Sequence, residues 1–183
     1  MRVIAGLAKG IRLKTPKGMN TRPTADRVKE SLFNILSPYI PGCDVLDLFS
    51  GTGALAIEAL SRGANSAVIV EADKKICAII KENLVQTRLV EKAQVYCRKV
   101  SVALKELGKK EKSFDIVFID PPYLKNFIQE TLQLLVENDI IRKEGIVAME
   151  HHRNESVPDR IGCLEKVRIE EYGETCISFL SVS

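Results

Sequence analysis

Residues 114–119 read Phe-Asp-Ile-Val-Phe-Ile and run directly into Asp120-Pro121-Pro122-Tyr123. A segment this apolar suits a strand covered by helices on both faces, which is the environment of a central strand in a parallel sheet. Parallel neighbours need long crossovers, usually helical, and the rest of the chain supplies them. The spacing predicts further strands over 43–47, 67–71, 95–97 and 145–149. Between them it predicts helices over 53–62, 102–107 and 127–137, and one capped by Asp73 with Ile76, Ile79, Ile80 and Leu84 on a single face. Two later stretches, 167–170 and 176–180, alternate around Gly173 as an antiparallel pair would. At the start, 3–5 and 11–13 flank Lys9-Gly10 as a small hairpin. Thr24 then caps a helix carrying Val28, Leu32, Ile35 and Leu36, which Pro38 and Pro41 end. The expectation is an α/β fold: an open, mostly parallel sheet with helices on both faces and an antiparallel pair at one edge. Ligands of such sheets bind beyond the carboxyl ends of the strands, where strand order reverses.

At 183 residues the chain is expected to be one domain, with 1–23 a basic hairpin-and-loop extension and 24–183 the core. No apolar run approaches the roughly 18 residues of a membrane span. The opening residues are too short an apolar stretch for a signal peptide, so a cytoplasmic setting is expected. Cys43, Cys77, Cys97, Cys163 and Cys176 are scattered with no C-x-x-C pair, which argues against a disulfide framework or structural zinc and for core packing. His151-His152 has no acid or cysteine at ligand spacing, so no metal is expected. The net charge of +3 hides an asymmetry: residues 1–30 hold eight basic and two acidic side chains, the remainder 19 and 22. A basic arm on a mildly acidic body suits a polyanion, through release of phosphate counterions, and equally suits a solvated edge. Arg2, Lys9, Arg12, Lys14, Arg22 and Arg27 are the candidates for such contacts, which position a nucleic acid without reading its sequence.

Three groups of residues fall at the expected strand ends. Asp47-Leu48-Phe49-Ser50-Gly51-Thr52-Gly53 follows the first strand and opens a helix, whose free N–H groups and partial positive charge face any ligand. Its glycines let the backbone come close, and Gly51-x-Gly53-x-x-Ala56 fits a dinucleotide fingerprint. Asp47, however, would favour a cationic ligand over a pyrophosphate. Glu71 ends the second strand 20 residues past Gly51, where a carboxylate can bind both hydroxyls of a ribose. Both nicotinamide cofactors and S-adenosylmethionine carry that ribose. In Asp120-Pro121-Pro122-Tyr123 two prolines fix the backbone and remove competing N–H donors, which leaves the Pro121 carbonyl and the Asp120 carboxylate as adjacent acceptors. Tyr123 adds a flat stacking surface. This set suits gripping both hydrogens of an exocyclic base amine, so that its lone pair is aimed at a donor carbon.

The Asp47–Gly53 loop and the Asp-Pro-Pro-Tyr tetrapeptide together resemble class I S-adenosylmethionine-dependent amino-methyltransferases. The stretch Arg22-Pro23-Thr24-Ala25-Asp26-Arg27-Val28-Lys29-Glu30-Ser31-Leu32-Phe33, with Arg2-Val3-Ile4-Ala5-Gly6 before it and Tyr172-Gly173-Glu174-Thr175 near the end, is similar to the RsmD family. The resemblance spans essentially the whole chain. It implies a Rossmann-like fold with a mostly parallel seven-stranded sheet, and methylation of N2 of a guanine in 16S ribosomal RNA. It implies cofactor binding by Asp47, Phe49, Gly51, Thr52, Gly53, Glu71 and Ala72, and the target amine at Asp120, Pro121, Pro122 and Tyr123. It also implies a partly or fully assembled small ribosomal subunit as partner and a monomeric enzyme. Where related enzymes place Asp or Asn to meet the adenine amino group, this chain has Arg98-Lys99-Val100; lysine cannot accept that bond, so backbone near Val100 would have to. Adenine N6 in DNA or RNA is the alternative target, since the tetrapeptide grips either amine. A nicotinamide-dependent dehydrogenase would use Gly51, Gly53 and Glu71 but leave Asp120 to Tyr123 without a task. A non-catalytic RNA-binding module is the third reading.

Overall fold

The structure is a computed structural model describing residues 1–18, 23–123 and 125–183. Arg22 therefore lies outside the described residues. In chain order the elements are α1 (Pro23–Leu36), β1 (Asp44–Leu48), α2 (Ala54–Ser61), β2 (Ser66–Glu71), α3 (Lys74–Thr87), β3 (Ala93–Cys97) and α4 (Val100–Lys109). There follow β4 (Phe114–Ile119), α5 (Phe127–Glu137), β5 (Ile141–His152), β6 (Arg160–Ile161), β7 (Leu164–Tyr172) and β8 (Thr175–Val182). The strands form one sheet in the order β3-β2-β1-β4-β5-β8-β7-β6. The first five neighbours are parallel; β8, β7 and β6 continue antiparallel. Strand order reverses between β1 and β4, which puts the ends of β1, β2 and β4 around one crevice.

β4 is covered on both faces, as its composition requires. Ile116 and Phe118 pack into a core layer with Phe33, Ile57, Leu60 and Ile80 from α1, α2 and α3. Phe114, Val117 and Ile119 pack into the opposite layer with Leu104, Leu107, Leu132 and Leu135 from α4 and α5. Asp73 caps α3 as expected, its Oδ1 accepting from the backbone N–H of Lys75 at 2.7 Å.

Three expectations need correction. The sheet has eight strands, not seven, because the two-residue β6 is too short to leave an alternating pattern. α1 begins at Pro23, so Thr24 sits inside its first turn; proline is accommodated there because that N–H has no partner within the helix. Cys97 and Cys163 are exposed, and only Cys43, Cys77 and Cys176 pack in the core. The N-terminal hairpin is present but short, one Arg2–Arg12 bridge with backbone bonds from Val3 to Ile11, Leu13 to Met1 and Gly10 to Val3 around a turn.

That short arm is held by helix side chains more than by its own ladder. Glu58 of α2, fully buried, accepts from the backbone N–H groups of Ile4 at 2.9 Å and Ala5 at 3.0 Å. It also pairs with Lys29 at 3.3 Å and Arg62 at 2.8 Å. Lys29 was counted with the basic arm but is buried, donating to the Arg2 carbonyl at 2.8 Å; desolvation lowers its pKa against the opposing pull of Glu58. Ser61 bonds Ala5 and Ala8, and a Cβ at Gly6 would stand 1.8 Å from the Ser61 carbonyl oxygen. Replacing Glu58 by alanine strands Lys29 and two backbone donors, and removing one partner of a buried pair costs about 3–5 kcal/mol. Urea unfolding of Glu58→Ala is expected to show a stability loss of that size; a loss under about 1 kcal/mol would contradict this account of the arm.

Candidate active site

The glycine loop after β1 bends through three left-handed residues, Phe49 (φ 56°), Gly51 (φ 59°) and Gly53 (φ 81°). A Cβ on Gly53 would press on Ile80 at 3.3 Å, whereas beside Gly51 the space is open. The loop is pinned from two sides. Asp47, 1% exposed beneath it, accepts from Ser50 Oγ at 2.6 Å and from the Ala56 backbone N–H at 3.1 Å, both through Oδ2. Glu71 accepts from the backbone N–H groups of Gly51 and Asp73, each at 3.0 Å. Asn83 of α3 donates to the Thr52 carbonyl at 3.0 Å while bonding both the N–H and the C=O of Lys14. The N-terminal arm and the glycine loop thus share one amide.

This loop floors an open crevice of about 1330 Å³ whose walls include Ala72, Val100, Pro121 and Pro122. Met1, Thr15, Ala25 and Val28 border it, so the arm flanks the opening. Phe49 packs against Phe127 at one side, ring centroids 5.6 Å apart and planes tilted by 47°. Asp120 is open to the crevice, and Tyr123 stands at its lip, 38% exposed. The Tyr123 hydroxyl donates to Glu150 Oε1 at 2.8 Å, and its ring meets the edge of His152 at 5.9 Å.

The electrostatics are one-sided. Asp47 Oδ1 is buried with no hydrogen-bond partner among the described residues. Burial first, and then the nearby Glu71, raise the Asp47 pKa to about 7 against its bonds from Ser50 and Ala56. Burial also lifts Asp120 well above the usual carboxylate range, reinforced by Glu150 and Asp47. Asp120 is itself exposed in the open crevice, which weakens that burial effect. Glu150 is raised by burial, against the bond from Tyr123. Among the described residues no basic side chain pairs with Asp47, Glu71, Asp120 or Glu150. A crevice of uncompensated, partly desolvated carboxylates is built for a cation and for N–H donors.

The family model described as "Conserved hypothetical protein 95" matches residues 1–181. A Bacillus subtilis protein named "Putative rRNA methyltransferase YlbH" is 42% identical over 178 residues, 97% of this chain and 97% of its own. "Ribosomal RNA small subunit methyltransferase D" of Haemophilus influenzae is 35% identical over 84% of this chain and 80% of its own. The chain belongs to the RsmD family of methyltransferases. Its fold is the Rossmann-like one of that family: the solved structure titled "Putative methyltransferase yhhF from Escherichia coli" superposes with a TM-score of 0.87 at 32% identity, covering 100% of this chain and 98% of that one.

The structure gathers Asp47, Phe49, Gly51, Thr52, Glu71, Ala72, Val100 and Asp120 to Tyr123 around this one crevice, with Gly53 behind the loop. Arg2, Lys9 and Arg27 surround a separate hollow of about 290 Å³ together with Asp26 and Glu30. Arg12 is exposed, and Lys14 points to α3, where it pairs with Glu82. Sequence reasoning missed Glu150, His152 and Thr175 in the crevice wall. The signal was available, because Glu150 ends an apolar stretch of β5 as Asp120 follows β4 and Glu71 ends β2. His151, by contrast, is a core residue bonded to Ser178 at 2.9 Å, and burial lowers its pKa.

A folded-state pKa of about 7 against roughly 3.9 unfolded means that the native state holds the Asp47 proton longer. Asp47 therefore removes stability progressively as pH rises from about 4 to 7, with no further change above. Denaturant titrations of wild type and Asp47→Asn are expected to diverge over that window in favour of the variant. A pH-independent difference would contradict the assignment.

Proposed function

We propose that the protein transfers a methyl group from S-adenosylmethionine to the exocyclic N2 amine of a guanine in small-subunit ribosomal RNA. Membership of the family makes it a ribosomal RNA methyltransferase with S-adenosylmethionine as cofactor. The guanine is supported by the family resemblance of the N-terminal stretch, because the tetrapeptide alone suits adenine N6 as well. The observation that carries the reading is Asp120, open to the crevice between the glycine loop and the Tyr123 ring.

The residues present fit the cofactor. The unpartnered Oδ1 of Asp47 is a buried acceptor suited to an ammonium group. The open space beside Gly51 admits a ligand against the backbone, and Glu71, whose two oxygens each accept one backbone N–H, keeps lone pairs for ribose hydroxyls. Backbone near Val100, at the start of α4, is left for the adenine. S-adenosylmethionine supplies a methyl group on a sulfonium, open to in-line displacement. Asp120 and the Pro121 carbonyl accept the two N–H bonds of the amine, localise its lone pair and aim it across the crevice. Tyr123 stacks on the base, with its hydroxyl anchored to Glu150. The proton leaves to Asp120 or to water once the new bond has formed. Arg2, Lys9, Arg12 and Arg27 hold RNA phosphates, and the small area of the arm favours a substrate whose shape is fixed by an assembled subunit.

Incubating the protein with tritiated S-adenosylmethionine and small subunits from cells lacking it is expected to place label in N2-methylguanosine. Asp120→Ala is expected to lose at least ~100-fold in rate with cofactor affinity kept. Activity within a few-fold of wild type would overturn the amine clamp. Equal rates on protein-free RNA and on subunits would overturn the preference for an assembled substrate.

A further inference from the structure

β4 and β5 are adjacent and parallel, with Ile119 opposite Met149. Asp120 and Glu150 are the next residues on each, so their backbones stand about one strand spacing apart, ~4.8 Å, and both side chains line the crevice. The Glu150 carboxylate is only half used. Oε1 accepts from the Tyr123 hydroxyl at 2.8 Å, and among the described residues no donor meets Oε2. The chemistry that fits two neighbouring acceptors is two neighbouring donors. Guanine presents them on one edge, N1–H beside the N2 amine. Adenine presents a lone pair on N1 beside its N6 amine, which a carboxylate repels.

We propose that Glu150 selects the base, its Oε2 accepting N1–H of the target guanine while Asp120 and the Pro121 carbonyl hold the N2 amine. The proposal rests on guanine N2 as the methylated atom. The bond to Tyr123 gives Glu150 a second duty, setting the ring that stacks on the base it selects. One side chain thereby fixes the base by both its edge and its face. Desolvation already disfavours the charged form of Glu150, and a base that closes over Oε2 without an N1–H takes away its water and gives no donor back, so such a base is rejected.

2-Aminopurine tests this directly, since it keeps the N2 amine but carries a lone pair on N1. Small subunits are reconstituted with guanine or 2-aminopurine at the labelled position, and kcat/KM is measured with tritiated S-adenosylmethionine. Wild type is expected to prefer guanine by at least ~100-fold. In Glu150→Gln the amide oxygen still accepts from Tyr123 while its N–H donates to the N1 lone pair, so the preference is expected to shift toward 2-aminopurine by at least ~10-fold. Equal losses on both substrates would reduce Glu150 to a support for Tyr123 and overturn the proposal. So would a wild-type ratio near one, a result that needs no variant to fold. Wild-type label in N6-methyladenosine would overturn the guanine reading itself, and with it the role of Glu150, before any variant is made.

Discussion

Negative charge that no basic side chain among the described residues balances is the constraint on which this site depends. Asp47, Glu71, Asp120 and Glu150 come from the ends of four neighbouring parallel strands, and burial raises the pKa of three of them. A fold tolerates such a cluster only if protons or a ligand relieve it, since an unpaired buried charge is costly. The same feature separates the site from a pyrophosphate-binding one that shares its glycine loop. The helix N-terminus behind the loop is there, but its Ala56 N–H is already taken by Asp47. A carboxylate stands where a phosphate would need a donor.

The arm is joined to this centre by construction. Glu58 and Ser61 fasten residues 4–8 to α2, and Asn83 spans from Lys14 to the Thr52 carbonyl. The segment that carries Arg2, Lys9 and Arg12, proposed to meet RNA, is therefore tied to the glycine loop proposed to hold the cofactor. Placement of a target amine to within the reach of a methyl group needs that kind of registration, because misplacement by an ångström is costly to rate.

What the sequence made legible follows from local physics. β4 was visible because a doubly covered strand must be apolar throughout, and the α3 cap because Asp73 acts within three residues of itself. Asp47, Glu71 and Asp120 could be placed because each lies immediately after an apolar run. The misses are non-local. β5 extends back to Ile141 through three charged residues that read as loop, since Arg142 is held by Asp44 and Asp115 from other strands. Lys29 looked like part of a solvated arm, and only its partner Glu58, distant in sequence, explains why it is buried. Glu150 carries the same local signal, since it follows the apolar stretch 145–149, and only its bond to Tyr123 lies beyond what spacing predicts.

On the proposed reading the buried Asp47 carboxyl, protonated at about pH 7 or below in the free protein, gives up its proton when the ammonium group of the ligand sits beside it. Calorimetric titration with S-adenosylhomocysteine at pH 6.5, in two buffers of different ionisation enthalpy, counts the protons exchanged on binding. The account predicts release of roughly half a proton or more, from the fraction of Asp47 still protonated, and a clear reduction of that release in Asp47→Asn. Binding with no proton released, or the same release from both proteins, would contradict it.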